Sequence, residues 1–202
     1  MNELKKYIYY LFNILKSFLY DIRLFFFDNI KQRAQACSYD SYRTNKQYPG
    51  YLKYGAAIEG VRYLAKKYCI GEGLDIGAGF WPLESAKVIE NNEDENAYKL
   101  NHNDSSVDYI FTSHLLEHLH RPKEALEEWA RVLKPGDGTL FIYLPHPACT
   151  MWEPKNLSAH VWMPDPLIIE EMLDKSGFNI IKISYLPDGM MSYYIIAKRK
   201  CK

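Results

Sequence analysis

One stretch limits the choice of fold more than any other: Gly71-Glu-Gly-Leu-Asp-Ile-Gly-Ala-Gly-Phe-Trp-Pro82, where a short apolar strand runs straight into a glycine turn. Leu74 and Ile76 alternate as strand residues do, with Asp75 between them where the strand ends. Gly77 and Gly79 permit positive φ and let backbone approach a ligand with no Cβ in the way. A strand, a turn and a helix start in that order build a crevice at the carboxyl ends of an open α/β sheet. A pyrophosphate-binding turn would carry GxGxxG, its third glycine letting the helix pack on the strand, and here the third place is Pro82. Taken alone, the stretch also fits a tight turn that holds no ligand.

The remaining patterning supports an α/β domain with an extension. At 202 residues and 48% hydrophobic content, the chain suits one such domain better than two. Lys plus Arg equals Asp plus Glu at 25 each, so no basic face calls for a nucleic-acid partner. Cys37, Cys69, Cys149 and Cys201 are scattered with no CxxC pair, which fits a reduced, cytoplasmic setting and signals neither a disulfide framework nor a metal cluster.

Residues 4–30 read as one long amphipathic helix, with Leu4, Ile8, Leu11, Leu15, Phe18, Leu19, Ile22 and Phe26 recurring every three or four positions as far as Ile30. Lys16, Asp21 and Arg23 interrupt it too often for a membrane span of about 20 apolar residues, and no small-residue cleavage site marks a secretory signal. Its basic, Leu- and Phe-rich character fits either the inner membrane surface or packing on the domain or on a second copy, giving a homodimer. Residues 31–50 turn polar and end at Pro49-Gly50, which divides an N-terminal segment (1–50) from a domain (51–202).

Within the domain, residues 54–68 carry a helical face of Ala57, Ile58, Val61, Leu64 and Ala65. After the glycine turn, residues 86–90 form a plausible second strand with Glu90 at its carboxyl end. A second informative stretch follows, Ser105-Ser-Val-Asp-Tyr-Ile-Phe-Thr-Ser-His-Leu-Leu-Glu-His-Leu119: a buried strand from Val107 to Thr112, then a short helix from Ser113. Pro122 opens a helix carrying Leu126, Trp129, Ala130 and Leu133 on one face, and Pro135-Gly136 stops it. Thr139 to Leu144 is a further strand closing on Pro145-His146-Pro147. Asp165-Pro166 starts a last helix, and the strands at 178–185 and 192–198 form a closing hairpin.

The LDIGAG hexapeptide and the D-Y-I-F-T-S-H-L-L-E-H-L run, in this order and spacing and with RVLKPG ending the helix that follows them, resemble the class I S-adenosylmethionine-dependent methyltransferases, in a compact, type 11-like form, over residues 54–198. The resemblance implies a Rossmann-like sheet, mostly parallel, with a C-terminal antiparallel pair. The interval from Gly79 to Asp104 holds neither of the usual helices, so the sheet is expected to be trimmed at that edge. The implied cofactor is S-adenosyl-L-methionine, bound by Asp75, Gly77, Ala78, Gly79, Ser113 and His114. Glu90 would take the ribose hydroxyls, since two adjacent donors match the two oxygens of a carboxylate; Glu93 and Asp94 follow as alternatives within a charged loop. The shortened loop at 100–104 puts Asn101 or His102 forward for adenine.

The implied chemistry is attack of an acceptor heteroatom on the cofactor methyl. A base helps if that atom is a hydroxyl, and imidazole titrates near neutral pH; His146, leaving its strand toward the crevice, is the first candidate and His114 the second. Trp152, His160 and Trp162, in the loop at 149–166, suit a polar ring-shaped acceptor such as a sugar, and compact relatives of this kind resemble those of bacterial surface-polysaccharide synthesis; a Trp-anchored packed loop is the alternative. His114 and His118 are four apart, but HExxH is absent and no third ligand stands at a known spacing, so no metal is expected; Glu117 and His118 read as a packing pair. Two other functions remain open: a methyltransferase-fold binding module that has lost its cofactor, and a membrane-surface protein acting through its first helix.

Overall fold

The computed structural model describes residues 59–79, 82–149, 152–188 and 191–201. The amphipathic helix expected at 4–30, the linker at 31–50, and Phe80 and Trp81 of the turn lie outside the described residues. Among those described, no helix is long and apolar enough to cross a membrane.

Helix α1 (Glu59–Tyr68) leads into β1 (Gly73–Ile76), β2 (Ala86–Ile89) and β3 (Tyr109–Ser113), followed by a 3₁₀ turn at Leu116–His118. Then come α2 (Pro122–Val132), β4 (Thr139–Pro145), α3 (Pro166–Lys175), β5 (Phe178–Ile183) and β6 (Ser192–Arg199). The sheet order is β2-β1-β3-β4-β6-β5. The first four strands are parallel, while β6 runs antiparallel between β4 and β5.

Side-chain alternation along the strands builds two apolar layers. On one face Leu74, Ile76, Ile110, Ile142, Leu144 and Ile195 pack with Leu126 and Trp129 of α2 and Ile169 and Leu173 of α3. On the other, Tyr109, Phe111, Phe141, Tyr143, Tyr194 and Ile196 meet Val61, Leu64 and Ala65 of α1. The central strands are buried on both sides, which is why β1 and β4 are shielded throughout their lengths.

The trimmed edge expected from the sequence is present. Parallel neighbours normally need a crossover of a dozen or more residues, usually helical, yet the described parts of the connections at 77–85 and 90–108 contain no helix. The second connection is held by side chains instead. Arg131 of α2 donates from Nη2 to the Leu100 carbonyl at 3.0 Å, and from Nη1 to the His102 carbonyl at 2.8 Å and to Asp104 Oδ1 at 2.7 Å. Glu128, itself paired with Arg131, accepts the Leu100 amide at 2.7 Å, and Trp129 Nε1 donates to the Ala97 carbonyl at 2.9 Å. One face of α2 thus does for this loop what a covering helix does elsewhere: it satisfies backbone groups that would otherwise be buried unpaired.

Candidate active site

The carboxyl ends of β1, β2, β3 and β4 meet at one rim of the sheet. Gly77 and Gly79 adopt φ of 74° and 57°, the left-handed region where glycine costs least. The turn is fixed from below, with the Gly77 amide donating to the Ile89 carbonyl at 2.8 Å and Thr112 Oγ1 to the Ile76 carbonyl at 2.9 Å. A Cβ placed on Gly77 would lie 2.9 Å from Leu115 Cδ1, so the glycine turn and the segment following β3 are in direct contact. A Cβ on Gly79 would meet nothing within 4 Å. This is open space over exposed backbone, with Ala78 half-buried between the two glycines.

Glu90 stands at the end of β2 as the sequence implies, and its Oε1 accepts the Gly79 amide at 2.9 Å. That bond takes one of roughly four lone-pair directions on the carboxylate, and the side chain is exposed. A carboxylate against a bare glycine turn fits a ribose diol, so the residues present suit the expected cofactor. Ser113 closes β3 opposite Tyr143 of β4.

Asp75 departs from its expected role. It is only 2% exposed, because its side chain points to the face opposite Leu74 and Ile76. Its Oδ2 accepts the Leu83 amide at 2.8 Å and ties the glycine loop back onto the strand, while Oδ1 has no hydrogen-bond partner. Burial lifts its pKa to about 7, opposed by the Leu83 amide and reinforced by the charge of Glu90. It secures the turn without presenting a carboxylate to a ligand.

Asn101 does not join this rim. It and His102 line a cavity of about 520 Å³ with Gly71, Glu72, Lys87 and Ser106, at the amino-terminal edge of the strands. The connection from β2 has by then returned to the start of β3, so these residues stand a full strand length from the glycine turn.

His146 is the third correction. The Ala148 amide donates to its Nδ1 at 3.0 Å, so the proton sits on Nε2, which donates to the Tyr185 carbonyl at 3.0 Å. Both ring nitrogens are committed, and burial lowers the pKa of the imidazole. It braces the loop after β4 and has no lone pair to offer as a base.

The aromatic loop is the fourth. Trp152 is buried, donates from Nε1 to the Met191 carbonyl at 3.0 Å and stacks on His160 with ring centroids 5.8 Å apart. Trp162 donates from Nε1 to the Leu116 carbonyl at 3.0 Å and packs on the main apolar layer. His160 donates from Nδ1 to the Trp152 carbonyl at 2.7 Å. These contacts anchor the described part of the loop over the 3₁₀ turn; Trp152 and His160 are buried and offer no stacking face to a sugar, while Trp162 is partly exposed.

His114 lies at the same rim as the glycine turn. It follows β3 with φ of 51°, an uncommon conformation for a residue with a Cβ, fixed by its amide donating to the Tyr143 carbonyl at 2.8 Å. Its Nε2 lies 3.1 Å from Ser192 Oγ, and its Nδ1 lies 3.3 Å from Glu117 Oε1. Beside Ser192, Tyr143 donates its hydroxyl to Asp188 Oδ2 at 2.6 Å, and Asp188 Oδ1 accepts the Ser192 amide at 3.1 Å. These polar groups form a largely buried cluster under the rim, with the His114 side chain 7% exposed.

Glu117 is what the sequence reading undervalued. Its side chain is 0% exposed, and neither oxygen receives a well-formed hydrogen bond. His118 Nε2 and His160 Nε2 each stand 3.8 Å from the same Oε1 that faces His114. Burial raises the pKa of Glu117, but the near contact and charge of His114 and the charge of His118 outweigh it, leaving a net lowering. A carboxylate inside the run Leu115-Leu116-Glu117-His118-Leu119 was the available signal of its burial; the distant partners His160 and Ser192 had none.

Residues 55–142 match the sequence profile of the methyltransferase domain family. No curated protein matches the chain. Among solved structures, an S-adenosylmethionine-dependent methyltransferase from Archaeoglobus fulgidus is 19% identical with a TM-score of 0.52, covering 69% of this chain and 93% of its own. A possible histamine N-methyltransferase from Thermotoga maritima is 18% identical with a TM-score of 0.51, covering 69% and 88%. The [4+2]-cyclase SpnF shares the fold too, at 14% identity and a TM-score of 0.50 over 72% and 83%.

Proposed function

We propose that the chain is a class I S-adenosylmethionine-dependent methyltransferase that methylates a hydroxyl oxygen of a small polar acceptor, with a sugar of surface-polysaccharide synthesis as the leading class; the methyltransferase-domain match over residues 55–142 supports the first part. The observation that carries this reading is the line Ser192 Oγ, His114 Nε2, His114 Nδ1, Glu117 Oε1, with end contacts of 3.1 and 3.3 Å. An imidazole oriented by a buried carboxylate and facing a hydroxyl is arranged to take a proton from an alcohol that replaces or joins Ser192.

When bound, the cofactor supplies a methyl group already activated by its sulfonium. The chain's part is placement. Gly77 and Gly79 admit backbone close to the ligand, Glu90 holds the ribose hydroxyls, and Leu115 fixes the glycine turn against the His114 segment. Alignment of this kind contributes through pre-arranged geometry, and the general base adds roughly 10²–10⁴-fold.

Labelled cofactor incubated with the protein and a set of nucleotide sugars and glycans should give labelled carbohydrate; label found only in protein or nucleic acid would reject the acceptor class. His114→Asn, which tolerates the left-handed backbone but removes the base, is expected to lower kcat by about 10²-fold or more while cofactor affinity changes little.

A further inference from the structure

We infer that Glu117, His118 and His160 form a binding site for one divalent transition-metal cation, of the zinc type, beside the acceptor rim. Glu117 Oε1, His118 Nε2 and His160 Nε2 lie within 4.8 Å of one another. Shifts of a few tenths of an ångström would bring all three to about 2.1 Å from a common point, the usual zinc distance to nitrogen and carboxylate oxygen. The outer contacts are those of metal-ligating histidines. His118 Nδ1 donates to the Ala159 carbonyl and His160 Nδ1 to the Trp152 carbonyl, both at 2.7 Å, which turns each Nε2 toward the carboxylate.

The distances argue against a cluster held by hydrogen bonds alone. An imidazolium bound to a carboxylate closes to about 2.8 Å, whereas both Nε2 atoms stand off at 3.8 Å. If those nitrogens are unprotonated, their lone pairs face an anionic oxygen and repel it, and the fully buried Glu117 has only the 3.3 Å approach of His114 Nδ1 to offset its charge. Such a group costs on the order of several kcal/mol unless something positive compensates it. A cation between the three atoms removes both problems. Two imidazoles and one carboxylate select a borderline metal over calcium or magnesium.

The site is closed on the Glu117 and His160 sides and open at His118, whose side chain is 35% exposed. Three protein ligands leave a coordination position for an oxygen from outside. A metal-bound acceptor hydroxyl would be more acidic and close to His114; this last role rests on the methyltransferase reading, while the metal site does not.

The test uses the full chain, stripped with a chelator and titrated with Zn(II) by calorimetry and with Co(II) followed by its visible absorption. One equivalent should bind, with His118→Ala weakening the affinity by at least ~100-fold, since even outer partners of ligands are worth 10–100-fold. His118 is partly exposed, so this variant should keep its circular dichroism; Glu117→Gln and His160→Ala should weaken binding likewise where they fold. Failure of the wild type to bind either metal overturns the inference, as does binding that His118→Ala leaves unchanged. S-adenosylhomocysteine binding is measured on the same samples. Cofactor binding without metal binding removes this site alone, and metal binding without cofactor binding removes the enzymatic reading alone.

Discussion

The buried carboxyl of Asp75 makes folding stability depend on pH in a direction opposite to that of most acids. Its pKa is 3.8 in an unfolded chain and about 7 in the fold. The folded state therefore holds the proton more tightly, and stability present below pH 3.8 is lost as pH rises through 7. At pH 5 the folded form is almost fully protonated and the unfolded form almost fully ionised, whereas at pH 8 both are ionised. The difference, at 1.36 kcal/mol per pKa unit, amounts to about 2.5 kcal/mol less stability at pH 8 than at pH 5 from this group. His146 and His160 act the other way, because burial lowers both below their ordinary 6.5 and unfolding releases them to take up protons in acid. Asp75→Asn isolates the effect. The asparagine oxygen still accepts the Leu83 amide, and its amide nitrogen takes the unpartnered place of Oδ1 at a pH-independent cost of about 1–2 kcal/mol. Urea unfolding of wild type and variant at pH 5 and 8 should show their stability gap closing or reversing by about 2.5 kcal/mol. A gap equal at both values would mean that Asp75 is ionised throughout and that the burial argument is wrong.

The remaining predictions concern the rim and its support. Gly77→Val should weaken S-adenosylhomocysteine binding by more than tenfold in calorimetry, because a left-handed φ costs a side chain about 1–2 kcal/mol and the new Cβ would press 2.9 Å from Leu115 Cδ1. Gly79→Ala meets no protein atom, so its stability loss should stay near 1 kcal/mol while cofactor affinity falls, the methyl entering the space over the turn. His146→Ala should cost about 2 kcal/mol in denaturant, through the unpaired Tyr185 carbonyl and Ala148 amide, and leave kcat within a few-fold of wild type. Arg131→Lys keeps the charge but loses the fork that reaches Leu100, His102 and Asp104 together; about 2 kcal/mol of stability should go, with cofactor affinity unchanged.

What could be read from the sequence followed from local periodicity. The alternation of Leu74 and Ile76, the two glycines and the β-rich run ending at Thr112 are short-range signals, and they placed the glycine turn, Glu90, Ser113 and His114 at one rim. The absence of room for helices between Gly79 and Asp104 likewise gave the trimmed edge. Side-chain direction beyond a strand end was not available in this way. Whether His146 faces the crevice depends on where Ala148 and Tyr185 lie, and the exposure of Trp152 depends on how residues 149–166 fold back over Leu116. Asn101 failed for a related reason, since the number of residues after β2 does not say at which edge of the sheet the chain has arrived. The buried trio around Glu117 joins positions 114–118 to His160, and no spacing rule covers a ligand brought in by an irregular loop.

The two corrections at the acceptor side together narrow the mechanism. With His146 committed at both nitrogens and Trp152 buried, the polar groups left at the carboxyl ends of β3 and β4 and the amino end of β6 are those gathered around His114. That residue sits in a backbone conformation L-residues avoid, held by the Tyr143 carbonyl on one side and by contact with Ser192 and Glu117 on the other. Strain of this kind persists where the surroundings over-determine it. Here the surroundings are β4, β6 and the 3₁₀ turn, none of which takes part in the shortened β2 edge. The loss of helices at that edge therefore leaves the His114 half of the rim intact, and a chain that trims its sheet beside Glu90 can still keep the geometry proposed for its chemistry at His114.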